Sequence, residues 1–224
     1  MENEKLHLMD LFGAVISIII LIYSAILHEI AHGYVAYRLG DPTAKLMGRL
    51  TLNPRSHIDP VMSLFVPLML ILSGSPVIFG GAKPVPVDPF NLRDGIKDLA
   101  LTSVAGPLTN LFLAIIASLL VHIFFPGFGF NELAASGLIG FVLSRIILLN
   151  LLLAIFNLIP IPPLDGSKLF ATILPKKEAA AYLAVGQRFG MFILIFLLFF
   201  PIGGFSLIGF VSQLIEYSLR LLGF

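Results

Sequence analysis

Cysteine is absent from the 224 residues. With it go any disulfide framework and any thiolate metal ligand, so a metal here has to be held by nitrogen and oxygen. Charge is scarce as well: Asp, Glu, Lys and Arg make up 12% of the chain, where a soluble domain carries about 25%. The net charge of +1 gives no argument for a nucleic-acid partner. The opening residues, Met-Glu-Asn-Glu-Lys, lack the basic stretch that begins a signal peptide. The apolar run behind them is therefore expected to be retained as a span. No internal repeat is visible. What is abundant is apolar: 58% of residues are hydrophobic and the mean hydropathy is +0.99. Several runs reach the ~20 residues needed to cross a bilayer. These features predict an all-α polytopic membrane protein with no sizeable soluble domain.

Five full spans are expected, at about 11–37, 99–125, 134–159, 182–200 and 205–222. The run 61–79 is apolar but broken by Pro67, Gly74 and Pro76. Between the first two spans, residues 43–52 alternate weakly and suggest a short strand at the membrane surface. Residues 80–90, with Pro84, Pro86 and Pro89, have to be extended, because proline blocks helix and pushes its predecessor toward extended geometry. That segment is either a rigid linker or an edge strand able to accept a peptide as an added strand. Residues 1–173 are expected to form the functional core, and 174–224 two accessory spans.

The chemistry concentrates in the first span, at His28-Glu29-Ile-Ala-His32. Two histidines four apart share one face of a helix, about 6 Å apart along its axis, which suits one tetrahedral zinc. Glu29 is placed to act as general base on a zinc-bound water, whose pKa the metal lowers to about 7. The pair lies roughly 6–12 Å past the middle of its span, and ionisable residues inside a membrane mark function. Further polar residues punctuate the other spans. Asn110 needs a partner on a facing helix or at the site. His122 is expected to be structural, and Arg145 to snorkel to the outer surface. His57 fits a third ligand, a substrate contact or a loop anchor. The proline run 160–163 breaks the third span, 134–159, at membrane depth, where irregular backbone is tolerated only inside protein or beside a water-filled cavity. Asp165, held by that turn, fits a third zinc ligand.

Lys and Arg mark cytoplasmic loops. They cluster in 38–60 (Arg38, Lys45, Arg49, Arg55), 80–98 (Lys83, Arg93, Lys97) and 160–181 (Lys168, Lys176, Lys177), and are missing from 126–133 and 201–204. One topology satisfies this: 61–79 dips in and returns as a re-entrant or hairpin element, the N-terminus lies outside, and every basic loop lies inside. The first and third spans then deliver His28, His32, Asn157 and Asp165 to one depth near the cytoplasmic side.

His28-Glu29-x-x-His32, Gly106-Pro107-x-x-Asn110 and Asn157-x-x-Pro160-x-Pro162-x-x-Asp165-Gly166, each in or ending a span, resemble the site-2 protease family of intramembrane zinc metalloproteases. The resemblance covers about 10–173. It implies one zinc per chain held by His28, His32 and Asp165, with Glu29 as general base and then proton donor to the leaving amine. It implies that Asn157 binds substrate or steadies the reacting carbonyl, that Asn110 lines the site, and that 80–90 receives the substrate as a strand. His57 joins these as a candidate substrate contact, and Gly80 and Gly81 as candidate site residues whose freedom would let water in through a mobile gate at 61–90. The partners implied are a transmembrane protein substrate and the lipid bilayer of the cell membrane. The short 126–133 loop leaves no room for a PDZ domain, which fits the compact prokaryotic branch. Two other functions use the same residues: a metal transporter with a transit site, and an inactive relative that binds without cutting. Glu29 in the protease position, ligands at one depth and the full motif set argue against both.

Overall fold

The computed structural model describes residues 2–57 and 83–224 with the single positions Pro60, Phe65, Leu68 and Met69, and side chains from Leu11 onward. The re-entrant reading of 61–79, and Gly80 and Gly81, lie outside the described residues apart from three of those positions. Secondary structure among the described residues is helical, with one isolated antiparallel bridge between Ile202 and Phe205.

Helix α1 (Glu2–Leu39) runs without a proline until Gly40 ends it. Gly40 adopts φ +115°, and the amides of Gly40 and Asp41 bond back to Tyr37 O (3.3 Å) and Ala36 O (2.9 Å). This pairing closes the last turn and relies on glycine's access to positive φ. The weak alternation of 43–52 does not produce a strand. Residues Thr43–Leu46 form a short helix, α2, followed by a turn at Gly48 with φ +65°. The cause is local: the Asp41 carboxylate accepts from both the amide and the hydroxyl of Thr43, a side-chain-to-backbone bond that starts a turn and competes with extended structure. Residues 83–88 have no regular structure, as the prolines require, and end in a 3-10 turn, Pro89–Asn91, capped by Asp88.

Helix α3 (Gly95–Phe124) is the central element, packed between α1 and α5 (Leu138–Asn157), with short α4 (Phe130–Ala135) ahead of α5. Its buried face is lined by small and polar residues, among them Gly106, Ala114, Ala117 and Ser118, which let three helices approach closely in a membrane. After the proline loop, α6 (Asp165–Ala171) folds back against the end of α5. A Cβ at Gly166 would meet Ile159 O at 2.7 Å, so only glycine allows the return.

Helix α7 (Lys176–Phe199) rests Gly186 and Gly190 on Pro162, and its Leu194 shares a cluster with Ile159, Leu164, Leu207 and Val211. Helix α8 (Leu207–Leu221) thus starts at the Asn157 end of α5. It runs to the opposite end, where Leu219, Leu222 and Phe224 pack on Val121 and Leu133. Loop charges put the 201–204 turn at the far face from Asp165. The packing instead returns Leu207 to Asp165's own end, because the glycine pair keeps α7 against the proline loop.

Four helices, α1 from Leu11, α3, α5 and α7, are long and apolar enough to cross a bilayer, with only 17–39% of each apolar window buried. So much outward apolar surface defines a multi-pass membrane protein. Helix α8, expected as a fifth span, has 15 residues, or about 22 Å of rise.

Candidate metal centre and active site

Two stripes of residues at four-residue spacing face each other across the interface of α1 and α3. On α1 these are Ser24, His28 and His32; on α3, Thr102, Gly106 and Asn110. The helices run antiparallel, so His32 meets Thr102, and His28 meets Asn110. Between them, Gly106 is pressed against both imidazoles. A Cβ there would lie 2.6 Å from His28 Nε2 and closer still to His32 Nε2. Asp165, at the start of α6, closes the third side. Its Oδ2 lies 3.2 Å from His28 Nε2 and 3.0 Å from His32 Nε2, while the two Nε2 atoms are 2.9 Å apart. Among the described residues these three side chains form a group whose ligand atoms all lie within 4.8 Å of one another.

The hydrogen bonds behind the group decide what it can hold. His32 Nδ1 is 2.6 Å from Thr102 O, a carbonyl that only accepts, so Nδ1 carries the proton. His28 Nδ1 faces Asn110 Oδ1, also an acceptor, since the Asn110 nitrogen is committed to Ser24 O (3.3 Å) and Asn150 Oδ1 (2.8 Å). Both imidazoles therefore present bare Nε2 lone pairs to each other and to a carboxylate oxygen. Three acceptors converging without a proton between them form a donor set for a cation. Two nitrogens and one oxygen, with a fourth position left over, fit a catalytic zinc. Lys168 pairs with the other carboxylate oxygen, Oδ1, at 3.2 Å and leaves Oδ2 facing the histidines.

Glu29 projects from the next position on α1 and accepts a hydrogen bond of 2.6 Å from the backbone amide of Val85. The extended 83–88 segment thus passes directly beside it. Three devices hold the segment there. Arg49 donates to Lys83 O (2.7 Å) and Pro84 O (3.2 Å). His57 O accepts from the Lys83 amide at 2.7 Å. Gly33 gives the room, since a Cβ on it would come within 2.7 Å of Val85 Cγ1 and 2.8 Å of Leu50 Cδ2. Asp41 fixes the segment's far end by accepting from the amide of Asp88 (2.7 Å) and from Asn91 Nδ2 (3.1 Å). Burial pushes the Asp41 carboxyl up, but the bonds from Thr43, Asp88 and Asn91 outweigh it and hold its pKa below the usual carboxylate value.

Of the residues singled out in the sequence, His28, His32 and Asp165 thus meet, Asn110 stands behind His28, and Glu29 lies alongside. Asn157 Nδ2 donates to Leu153 O of its own helix at 2.9 Å. His57 is outside the ligand group. It is buried and anchors its loop through Nε2 and Thr51 O (2.8 Å). Sequence reasoning missed Thr102, Gly106 as a contact, Arg49, Lys168 and the Ser24–Asn150 pair. The four-residue spacing of 102, 106 and 110 was the one available signal for the first two.

A membrane-embedded fold with a zinc-type donor set and an adjacent glutamate defines a class, the intramembrane zinc metalloproteases. Comparison with known proteins places the chain within it. The model of peptidase family M50 matches residues 120–200. A Bacillus subtilis (strain 168) protein named "Putative zinc metalloprotease YwhC" is 39% identical over 192 residues, which cover 85% of this chain and 83% of that protein. A Mycolicibacterium smegmatis protein named "Putative zinc metalloprotease Rip2" is 32% identical over 179 residues, 80% of this chain and 64% of the longer relative. The Rip2 of Mycobacterium tuberculosis (strain H37Rv) is 31% identical over 180 residues, with the same coverage of 80% and 64%. No solved structure matches. The chain belongs to peptidase family M50, the site-2 proteases, and is an intramembrane metalloprotease that uses zinc.

Proposed function

We propose that His28 Nε2, His32 Nε2 and Asp165 hold the zinc and that Glu29 is the general base, in hydrolysis of a peptide bond within or near a transmembrane segment of a membrane protein. The observation that carries this reading is the convergence of two fixed Nε2 lone pairs and Asp165 Oδ2 between α1, α3 and α6. Zinc bound there supplies a Lewis acid and a water of lowered pKa. Glu29 takes the proton of the attacking water and passes it to the leaving amine, a role that needs a carboxylate within hydrogen-bond reach. Gly106 keeps the site shaped, and Lys168 holds Asp165 by the oxygen that does not face the histidines.

A transmembrane helix hides its carbonyls in internal hydrogen bonds, so the substrate has to unwind before attack. The 83–88 segment supports a receiving strand. Pro84 and Pro86 lack N–H groups, so the pairing edge falls on Val85 and Val87. The Val85 amide donates to Glu29, so a peptide that pairs along that edge displaces this bond directly beside the base. Asn157 Nδ2 donates to Leu153 O, and its second N–H is the donor that would steady a carbonyl. The basic loops support an outside N-terminus in the cell membrane and cleavage near the cytoplasmic side, with 1–173 as the core and 174–224 as accessory helices.

Cleavage of a detergent-solubilised transmembrane substrate by the protein and by its Glu29→Gln variant, with zinc measured in both, tests this. The expected result is equal zinc and cleavage only by the unmodified protein. Cleavage retained in Glu29→Gln removes Glu29 as base.

A further inference from the structure

We infer that Asn150 is a positioning residue for the metal centre: it locks the Asn110 amide in one orientation and, through it, fixes the proton of His28 on Nδ1. This rests on the reading that His28 holds zinc.

The two histidines are supported unequally. His32 Nδ1 bonds to Thr102 O, and a backbone carbonyl can only accept. That histidine needs no further help to keep Nε2 free. His28 Nδ1 bonds to a side-chain amide, which can present either its oxygen or its nitrogen. Turned by 180°, Asn110 donates to Nδ1, drives the imidazole proton onto Nε2 and blocks the lone pair that faces the site. Something has to prevent that turn.

Asn150 does so from α5. Both asparagines are 0% exposed in the interior of their helices. Asn150 Oδ1 accepts from Asn110 Nδ2 at 2.8 Å. Its own nitrogen donates to Ile146 O at 2.9 Å and to Ser24 Oγ at 2.9 Å. Ile146 O is again a carbonyl and only accepts, so the Asn150 amide has one allowed face. The order propagates one way. Ile146 O orients Asn150, Asn150 Oδ1 orients Asn110, and Asn110 Oδ1 orients His28. Ser24 O adds a second acceptor for Asn110 Nδ2 at 3.3 Å. Inside the bilayer no water competes for these groups, so a turned amide places two acceptors face to face at the cost of unsatisfied buried polar atoms. The relay joins α1, α3 and α5 at the depth of His28, and Asn150 touches no metal-facing atom.

Zinc affinity, measured by competition with a chromogenic chelator on detergent-purified protein, tests the relay. Asn150→Leu is expected to weaken zinc binding by about 10–100-fold, the range for loss of a ligand's outer partner. The decisive variant adds Asn110→Asp to it. A carboxylate has no donor to turn toward His28, so the double variant no longer needs Asn150 and is expected to regain the zinc affinity of Asn110→Asp alone. Helix content by circular dichroism accompanies each measurement. Unchanged affinity in Asn150→Leu overturns the inference. So does a loss that Asn110→Asp fails to restore, which makes Asn150 a packing residue. If His28→Ala binds zinc as tightly as the unmodified protein, the reading of His28 as a ligand fails first, and the inference with it.

Discussion

A methyl group at position 106 would sit 2.6 Å from His28 Nε2, inside van der Waals contact. Gly106→Ala is therefore expected to displace an imidazole and weaken zinc retention by at least ~10-fold, as read by chelator competition, with the helices intact. That demand explains why a glycine precedes Pro107 in a long helix. Three residues of the centre were legible in the sequence because their types and spacing are rare in a span: His28, Glu29 and His32. Asp165 was legible because a carboxylate beside a proline run at membrane depth needs a reason to be there. Their supports were not. Asn110, Asn150 and Asn157 look alike as single polar residues in apolar runs. Only packing distinguishes the first two, joined to each other across α3 and α5, from the third, whose side-chain nitrogen bonds to Leu153 O. Thr102 acts through its backbone carbonyl, which no side-chain pattern announces.

The segment 83–88 can be perturbed separately from the metal centre. Arg49 clamps its carbonyls and touches none of the three proposed ligands. Arg49→Met should leave zinc content near one per chain while cleavage of an intact transmembrane substrate falls by about tenfold or more, because the strand loses its seat beside Glu29. Equal loss of both would tie Arg49 to the metal centre instead. Asp41 anchors the segment's other end and carries a pH dependence. Its folded pKa lies below its unfolded value of about 3.9. The unfolded state therefore binds the proton first. The stabilisation is present above that value and is lost as pH falls through the lower folded one. Thermal unfolding in detergent should show a drop below about pH 4 that Asp41→Ala lacks, and Asp41→Ala should cost about 2–3 kcal/mol at neutral pH. The same carboxylate explains why 43–52 defeats a reading by alternation. Its bonds to Thr43 start a helical turn, a stronger local cause than weak periodicity. The extended course of 83–88 was legible because proline leaves the backbone no alternative.

Across the whole molecule, four apolar helices expose most of their surface outward, while the polar residues collect where α1, α3 and α5 meet. The composition announced the membrane. It did not reveal that α8 begins at the same end as the site, since that depends on Gly186 and Gly190 resting on Pro162. The lack of cysteine makes the orientation directly testable by single-cysteine labelling with a membrane-impermeant reagent. Lys176→Cys should react only from the cytoplasmic side, and Asn131→Cys, in the 126–133 loop and its following helix, only from outside. The reverse pattern would invert the topology and move the site to the outer face.

The account stands on two imidazoles and one carboxylate sharing a metal between distant segments of the chain. Zinc content together with zinc-edge X-ray absorption, on the purified protein and on Asp165→Ala, tests this most directly. The account predicts about one zinc per chain, with two imidazole nitrogens at about 2.0–2.1 Å and oxygen in the remaining positions, and loss of that shell in Asp165→Ala. The same zinc shell in Asp165→Ala, or no zinc in the unmodified protein, would contradict it.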